Sequence, residues 1–173
     1  MTHRGVSVPM AKLATVLAGG AMLLGASHAH AKVSKGQKAP AFNLTALSGS
    51  KVSLASMAGK VVVLDFWAQW CEPCKRELPE LDKLQKEYAS KGVSIVTVNI
   101  DKQRDNAEKL VSLLGLSLPV LLDTAGSVAA TYDLPKMPSS YVIDKKGVVR
   151  FVHEGYEPGD VARFKKEIDE LNK

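Results

Sequence analysis

Residues 61–81 read VVVLDFWAQWCEPCKRELPEL, and the rest of the chain is arranged around this stretch. Residues 61–66 form a nearly continuous apolar run of strand-favouring side chains, the pattern of a central parallel strand covered on both faces. Asp65 interrupts the run and carries a carboxyl into surroundings the pattern expects to be apolar. Trp67, Ala68, Gln69 and Trp70 make a short corner, and the spacing predicts a helix over about 71–89. Leu78, Leu81, Leu84 and Tyr88 recur every three or four residues and form one stripe to lay on a sheet. Lys75, Arg76, Glu80, Lys83 and Glu87 lie largely off that stripe, and Gly92 stops the helix.

Cys71 and Cys74 fall in the first turn of this helix. Unpaired backbone N–H groups and the helix dipole favour negative charge there, which stabilises the thiolate of Cys71 over its thiol. Two intervening residues bring Cys74 within disulfide distance on the same turn. Such a dithiol can attack a disulfide, form a mixed disulfide and resolve it.

A chain of 173 residues with 46% apolar side chains suits a single hydrophobic core. The net charge of +5 falls to +3 once the first 31 residues are set aside, with 21 basic and 18 acidic residues interspersed. No basic cluster or aromatic platform points to nucleic acid. The first 12 residues hold Arg4 and Lys12 and no acid, and residues 13–26 are an apolar run of 14. Ala29-His30-Ala31 follows as a small-x-small cleavage pattern. The run is short for a membrane span of about 20 residues, so residues 1–31 are read as a cleaved secretory signal rather than a retained anchor, and residues 32–173 as the domain. No Cys lies near the apolar run to carry a lipid. Cleavage removes His3, His28 and His30 and leaves His153. Two Cys and one distant His do not complete a tetrahedral zinc site, so no metal is expected. Haem attachment would need His directly after the second Cys, and that residue is Lys75. Redox chemistry remains.

Elsewhere, residues 42–45 and 51–54 read as two short strands around a Ser48-Gly49-Ser50 turn. Residues 93–100 form a second buried strand, and residues 106–116 an amphipathic helix with Leu110, Leu113 and Leu114 on one side. A short strand at 119–122 and a short helix at 128–132 follow. Residues 140–144 and 148–153 make a hairpin through Lys145-Lys146-Gly147. A last helix carries Val161, Phe164, Ile168 and Leu171 on one face. Strands alternating with helices and closing with a hairpin indicate an α/β fold, a mixed central sheet with helices on both faces.

WCEPCK, preceded by DFWAQ and followed by Pro79 eight residues after Cys71, closely resembles a thioredoxin active site. Its CEPC form resembles the TlpA/ResA-like extracytoplasmic branch of the thiol–disulfide oxidoreductases, and the resemblance runs from about Gly36 to the end of the chain. Gly36, Ala39-Pro40, Phe42, Leu44, Gly49, Val52, Leu54 and Gly59-Lys60 match the N-terminal extension of TlpA-like and peroxiredoxin-like chains. The peroxiredoxin alternative fails at the site, where that family carries Thr-x-x-Cys. The resemblance implies a thioredoxin fold with an N-terminal hairpin extension.

It also implies roles for single residues. Cys71 would attack and Cys74 would resolve. Asp65, six residues before Cys71, matches the buried acid of thioredoxin and differs from the Asn common in TlpA-like chains; it would accept the proton of Cys74. Its plainer readings are a structural carboxylate or, with a register slip of one, a surface residue. Glu72, with Pro73 between the cysteines, would oppose thiolate formation and tune the couple. Glu77 matches a Glu near the ResA-like active site, against the plain reading of an exposed helix residue. Trp67 and Trp70 would supply packing and contact surface, and Pro79 a helix kink. Met137-Pro138 matches the cis-proline loop opposite the Cys pair, where a cis bond would turn the Met137 backbone toward an extended substrate. An ordinary trans proline is the alternative, and Pro119 and Pro135 are competitors. Family members of this kind reduce disulfides of apocytochrome c or other envelope proteins and are recharged by a membrane thiol carrier. The expected protein is therefore a periplasmic monomer with no cofactor beyond its Cys71–Cys74 couple. Two other classes stay open at this point: an oxidase or isomerase of exported proteins, and a non-catalytic binding module for extended chains.

Overall fold

The computed structural model describes residues 1–2 and 32–173; the expected signal segment therefore lies, apart from its first two residues, outside the described residues. The apolar run forms strand β3 (Val61–Trp67), buried along its whole length. Before it come β1 (Asn43–Ala46) and β2 (Lys51–Ser53). After it follow α1 (Glu72–Tyr88), β4 (Val93–Asn99), α2 (Arg104–Leu114), β5 (Val120–Leu122), α3 (Ser127–Tyr132), β6 (Ser139–Ile143), β7 (Val149–Glu154) and α4 (Asp160–Leu171). The seven strands lie in the order β2-β1-β5-β4-β3-β6-β7. β3 runs parallel to β4 and β4 to β5, while the remaining pairs are antiparallel. The result is the expected mixed sheet, with the early hairpin added at one edge.

Alternation along β3 sorts the core. Val62, Leu64 and Phe66 face a cluster with Val98, Leu121, Tyr132 of α3 and Tyr141. Val61 and Val63 face the other side, against Leu81, Leu84 and Tyr88 of α1 and Phe164 and Ile168 of α4. Trp67, at the strand's end, joins a third cluster with Cys71, Cys74, Leu78, and Ala107 and Leu110 of α2. Helices therefore cover both faces. The segment ahead of β1 covers part of the edge strand β7: the Gly36 N–H donates to the Val149 carbonyl (2.8 Å) and the Val149 N–H to that of Gln37 (2.9 Å). Among the described residues no helix is long and apolar enough to cross a membrane.

Some local expectations need correction. The first strand lies one residue later than 42–45, and Leu54 belongs to a 3-10 turn (Leu54–Met57) capped by Ser53, whose hydroxyl accepts the Ser56 N–H. The helix expected from Asn106 starts at Arg104 and stops at Leu114, where Gly115 takes a left-handed φ of 60°. Leu113 is not on its buried side but 79% exposed. At about 100° per residue, Ala107, Leu110 and Leu114 line up and Leu113 falls off their stripe.

Candidate active site

The end of β3 and the start of α1 are held together by the corner between them. The Cys71 N–H donates to the Ala68 carbonyl (3.0 Å), and the Ile100 N–H to that of Trp67 (3.0 Å). The buried Asp101 carboxylate accepts the Gln69 N–H (2.8 Å) and the Asn99 side-chain amide (2.7 Å), tying the corner to the end of β4. Cys71 is the N-cap of α1, and its sulfur accepts the N–H of Cys74 at 3.3 Å, as a capping hydroxyl would. The two cysteines form a disulfide with their Cα atoms 5.3 Å apart.

Cys71 does not stand open on the surface. It is 4% exposed against 0% for Cys74, because Ala68, Trp67 and the neighbouring helix enclose it in one apolar cluster. It is still the more accessible sulfur. Trp70 next to it is 63% exposed, while Trp67 is buried. Glu72 points to solvent and pairs with Lys75 at 2.9 Å, which holds its carboxyl below the ordinary carboxylate range. Pro73 is half-buried in the first turn, and Pro79 lies inside the helix. The Met137–Pro138 peptide bond is cis, and among the described residues those before Pro119 and Pro135 are not. Met137 packs against the cluster that holds both cysteines. Pro138 is buried, and its carbonyl accepts the Gly155 N–H at 2.8 Å.

Beneath the dithiol lies a polar layer. Sheet register sets Asp65 of β3 beside Thr97 of β4 on one side and Ser140 of β6 on the other, with His153 of β7 next to Ser140. Asp65, Thr97, Ser140 and His153 are all buried. Helix α1 adds Glu77, also buried, one turn after Cys74. The surface readings of Asp65 and Glu77 therefore fall away: each points into the core. The Ser140 hydroxyl donates to Asp65 Oδ1 at 2.8 Å and lies 3.4 Å from Glu77 Oε1. Asp65 Oδ2 and Glu77 Oε2 have no hydrogen-bond partner. Burial pushes both carboxyls well above the ordinary range. For Glu77 the charges of Asp65 and Asp160 add to this, and the Ser140 hydroxyl pulls each carboxyl partly back.

Sequence reasoning missed Ser140 and Asp101. Ser140 is a polar residue in a buried strand two positions after the cis proline, and Asp101 directly follows a buried strand; both positions were visible, their partners were not. Among the described residues no group of three or more His, Cys, Asp or Glu side chains converges as a metal site.

The chain is similar to known proteins in sequence and fold. Residues 35–152 match a family model described as the AhpC/TSA family. Over 126 residues the chain is 41% identical to Thioredoxin-like protein YneN of Bacillus subtilis, covering 71% of this chain and 73% of that one. Over 118 residues it is 37% identical to Thiol-disulfide oxidoreductase ResA of Bacillus thuringiensis, covering 68% of each. A solved Chlorobium tepidum structure, assigned as the thiol:disulfide interchange protein DsbE, superposes with a TM-score of 0.78 at 34% identity, over 82% of this chain and 100% of that one.

Proposed function

The chain belongs to the AhpC/TSA family and is a thiol–disulfide oxidoreductase with a thioredoxin-like fold, and from that premise we propose that it works outside the cytoplasm as a reductant of protein disulfides. The observation that carries this reading is the Cys71–Cys74 disulfide at the start of α1, set above two buried carboxyls.

In the reduced protein the Cys71 thiolate attacks one sulfur of a substrate disulfide. The substrate S–S bond breaks, a Cys71–substrate disulfide forms, and the other substrate sulfur leaves as a thiolate that takes up a proton. Cys74 then loses its proton to Asp65 and attacks the Cys71 sulfur. The second substrate sulfur leaves and is protonated, and the Cys71–Cys74 disulfide closes. The substrate has gained two electrons and two protons. The N-cap position favours the attacking thiolate, because the helix N-terminus and the Cys74 N–H both direct positive charge at the Cys71 sulfur.

The direction of electron flow follows from charge. Negative charge near the dithiol disfavours its thiolate form and so favours the disulfide, which lowers the potential. Glu72 contributes little to this, being exposed and paired with Lys75. Asp65 and Glu77 are buried and their carboxyls are raised, so they act in this direction only through the member of the pair that is ionised. We expect a potential on the thioredoxin side, near about −270 mV, and a value above about −180 mV would move the protein to the oxidase or isomerase class.

The basic start, apolar run and Ala29-His30-Ala31 support export, with a mature chain beginning near Lys32. Substrates are disulfide-bearing envelope proteins, apocytochrome c among them, and a membrane thiol carrier returns the electrons to a monomeric protein that needs no other cofactor. Exposed Trp70 and the Met137–Pro138 loop supply the contact surface for an extended chain. The test is a trap. Cys74→Ser should accumulate mixed disulfides through Cys71, and Cys71→Ser should accumulate none. Trapping by Cys74 alone would reverse the assignment, and a Cys71/Cys74 double variant that keeps full activity would leave only a binding module.

A further inference from the structure

Ser140 has a single hydroxyl hydrogen and two carboxyls to serve. Its Oγ lies 2.8 Å from Asp65 Oδ1 and 3.4 Å from Glu77 Oε1. When the hydrogen goes to Asp65, the oxygen can only accept at Glu77, so Glu77 must bring a proton of its own. When the hydroxyl turns toward Glu77, the proton must be on Asp65. With both carboxyls ionised, one carboxylate oxygen would face a hydroxyl lone pair inside the core, the uncompensated contact that buried polar networks avoid. Each arrangement needs one proton on the pair, and a second would be left as a buried O–H without an acceptor, because Asp65 Oδ2 and Glu77 Oε2 have no partner. We propose that Ser140 is a positioning residue that binds Asp65 and Glu77 into a one-proton unit beneath Cys74, with the ionised member as the base and the protonated member as its reserve.

This inference rests on the reading of Asp65 as the proton acceptor and extends it to Glu77 and Ser140. The unit has places for an incoming proton: Asp65 Oδ2 and Glu77 Oε2 are buried and unpartnered. When Cys74 gives up its thiol proton, the pair goes from one proton to two. When the departing substrate thiolate is protonated, the pair returns to one. The charged and titratable groups around it favour retention of that one proton. On α1, Glu80 bears on Glu77, and at the start of α4, Asp160 does the same. Asp160 is itself held by Arg163, and Glu80 receives the Tyr156 hydroxyl at 3.1 Å. On β7, His153, in register with Ser140, is hydrogen-bonded to Glu167 of α4 at 2.8 Å. β4 contributes Thr97, which does not titrate. Two acidic neighbours raise the energy of a doubly ionised pair, and Ser140 removes the need for a doubly protonated one.

Two measurements on the full reduced protein test this, with oxidised glutathione as the disulfide probe. Carbon NMR of the Asp65 and Glu77 carboxyls should count one proton between them at pH 7; zero or two would overturn the proposal. Ser140→Ala should slow closure of the Cys71–glutathione disulfide by about tenfold at pH 7, a small share of the range usual for acid–base catalysis, with the rate recovering as pH rises. Ser140→Thr, which keeps the hydroxyl in a strand-favouring side chain, should stay within about twofold of the natural protein. A Ser140→Ala rate within twofold at every pH, or a Ser140→Thr variant as slow as Ser140→Ala, would refute the bridge. If Ser140→Ala does not fold, the proton count in the unaltered protein decides alone. Failure of the reductase reading itself would look different: Cys74→Ser would trap no substrate through Cys71, whatever the carboxyls hold.

Discussion

Helix α1 carries two buried acids five residues apart, Glu77 and Asp82, and their surroundings treat them in opposite ways. Asp82 is saturated. Its Oδ1 accepts the Ser117 N–H (2.7 Å), the Ser117 hydroxyl (2.9 Å) and the Leu118 N–H (2.7 Å), and its Oδ2 takes Lys86 at 2.5 Å. Burial alone would raise its carboxyl, yet Lys86 and the Ser117 and Leu118 donors bring it below the ordinary value. Glu77 and its neighbour Asp65 share one hydroxyl and keep two oxygens unpartnered. The same functional group, a carboxyl, thus anchors the fold at one level of the helix and is held away from its comfortable charge state at another. An acid whose charge is fully met is fixed; an acid left short of partners is free to take a proton. Strain of this second kind is typical of functional sites.

The contrast predicts its largest effect at the anchor. Asp82→Ala leaves the Ser117 and Leu118 N–H groups without their acceptor and should lose about 2–4 kcal/mol of stability. For a domain of this size each kcal/mol lowers the melting temperature by about 2–4 °C. Reduction of a test disulfide per folded molecule should not change, and a loss below about 1 kcal/mol would end Asp82's role as an anchor. Glu77→Gln should do the reverse. It should gain about 1–2 kcal/mol at pH 8, because the natural side chain must be kept protonated in the fold while it ionises freely in the unfolded chain. Closure of the disulfide should slow at the same time. A destabilised Glu77→Gln at pH 8 would break the comparison.

pH separates the two sites further. Asp82 has a depressed folded value, so its contribution is present above the unfolded value near about 4 and is lost as pH falls through the folded one. Asp65 and Glu77 have raised folded values, so their contribution is complete below about 4 and is lost as pH rises through those values. Urea midpoints measured from acid to alkaline pH should therefore show two limbs. Asp82→Asn should flatten only the acid limb, and Asp65→Asn with Glu77→Gln only the alkaline one, each by about 1 kcal/mol or more. Loss of both limbs in either variant would mean the sites are not separate. The smallest effect belongs to Lys86→Ala. Lys86 is 62% exposed, so its removal should cost under about 1 kcal/mol, with the three other donors still on Asp82.

Much of this was legible in the chain because it is local. The β3 run, the α1 stripe and the WCEPC corner each lie within one stretch, and their periods and turns declare themselves. The cis bond at Met137–Pro138 was legible by resemblance, since the loop is followed directly by the strand beside β3. What could not be read depends on register between distant segments. Asp65 and Ser140 are 75 positions apart and meet only because β3 and β6 pair as they do. Glu77 sits among charged helix residues, and its inward direction is decided by the packing of α1 on the sheet. Leu113 shows the opposite failure: an apolar residue taken for core that the actual helix phase turns outward.

The polar layer has one more consequence, for how the molecule opens. Pro79 has no N–H to offer the Lys75 carbonyl one turn back, so α1 lacks a rung of its ladder. On the sheet side, the apolar cluster holding Cys71, Cys74 and Leu78 ends and the one holding Leu81, Leu84 and Tyr88 begins, with Asp65, Glu77 and Ser140 at the same level of the helix. A weak rung in the backbone and a polar seam in the packing coincide. The first two turns of the helix, with the dithiol, form a small cooperative unit that can lift while the later turns stay seated. In hydrogen exchange, the amides of residues 74–78 should exchange through this local opening, and those of residues 81–88 only with global unfolding.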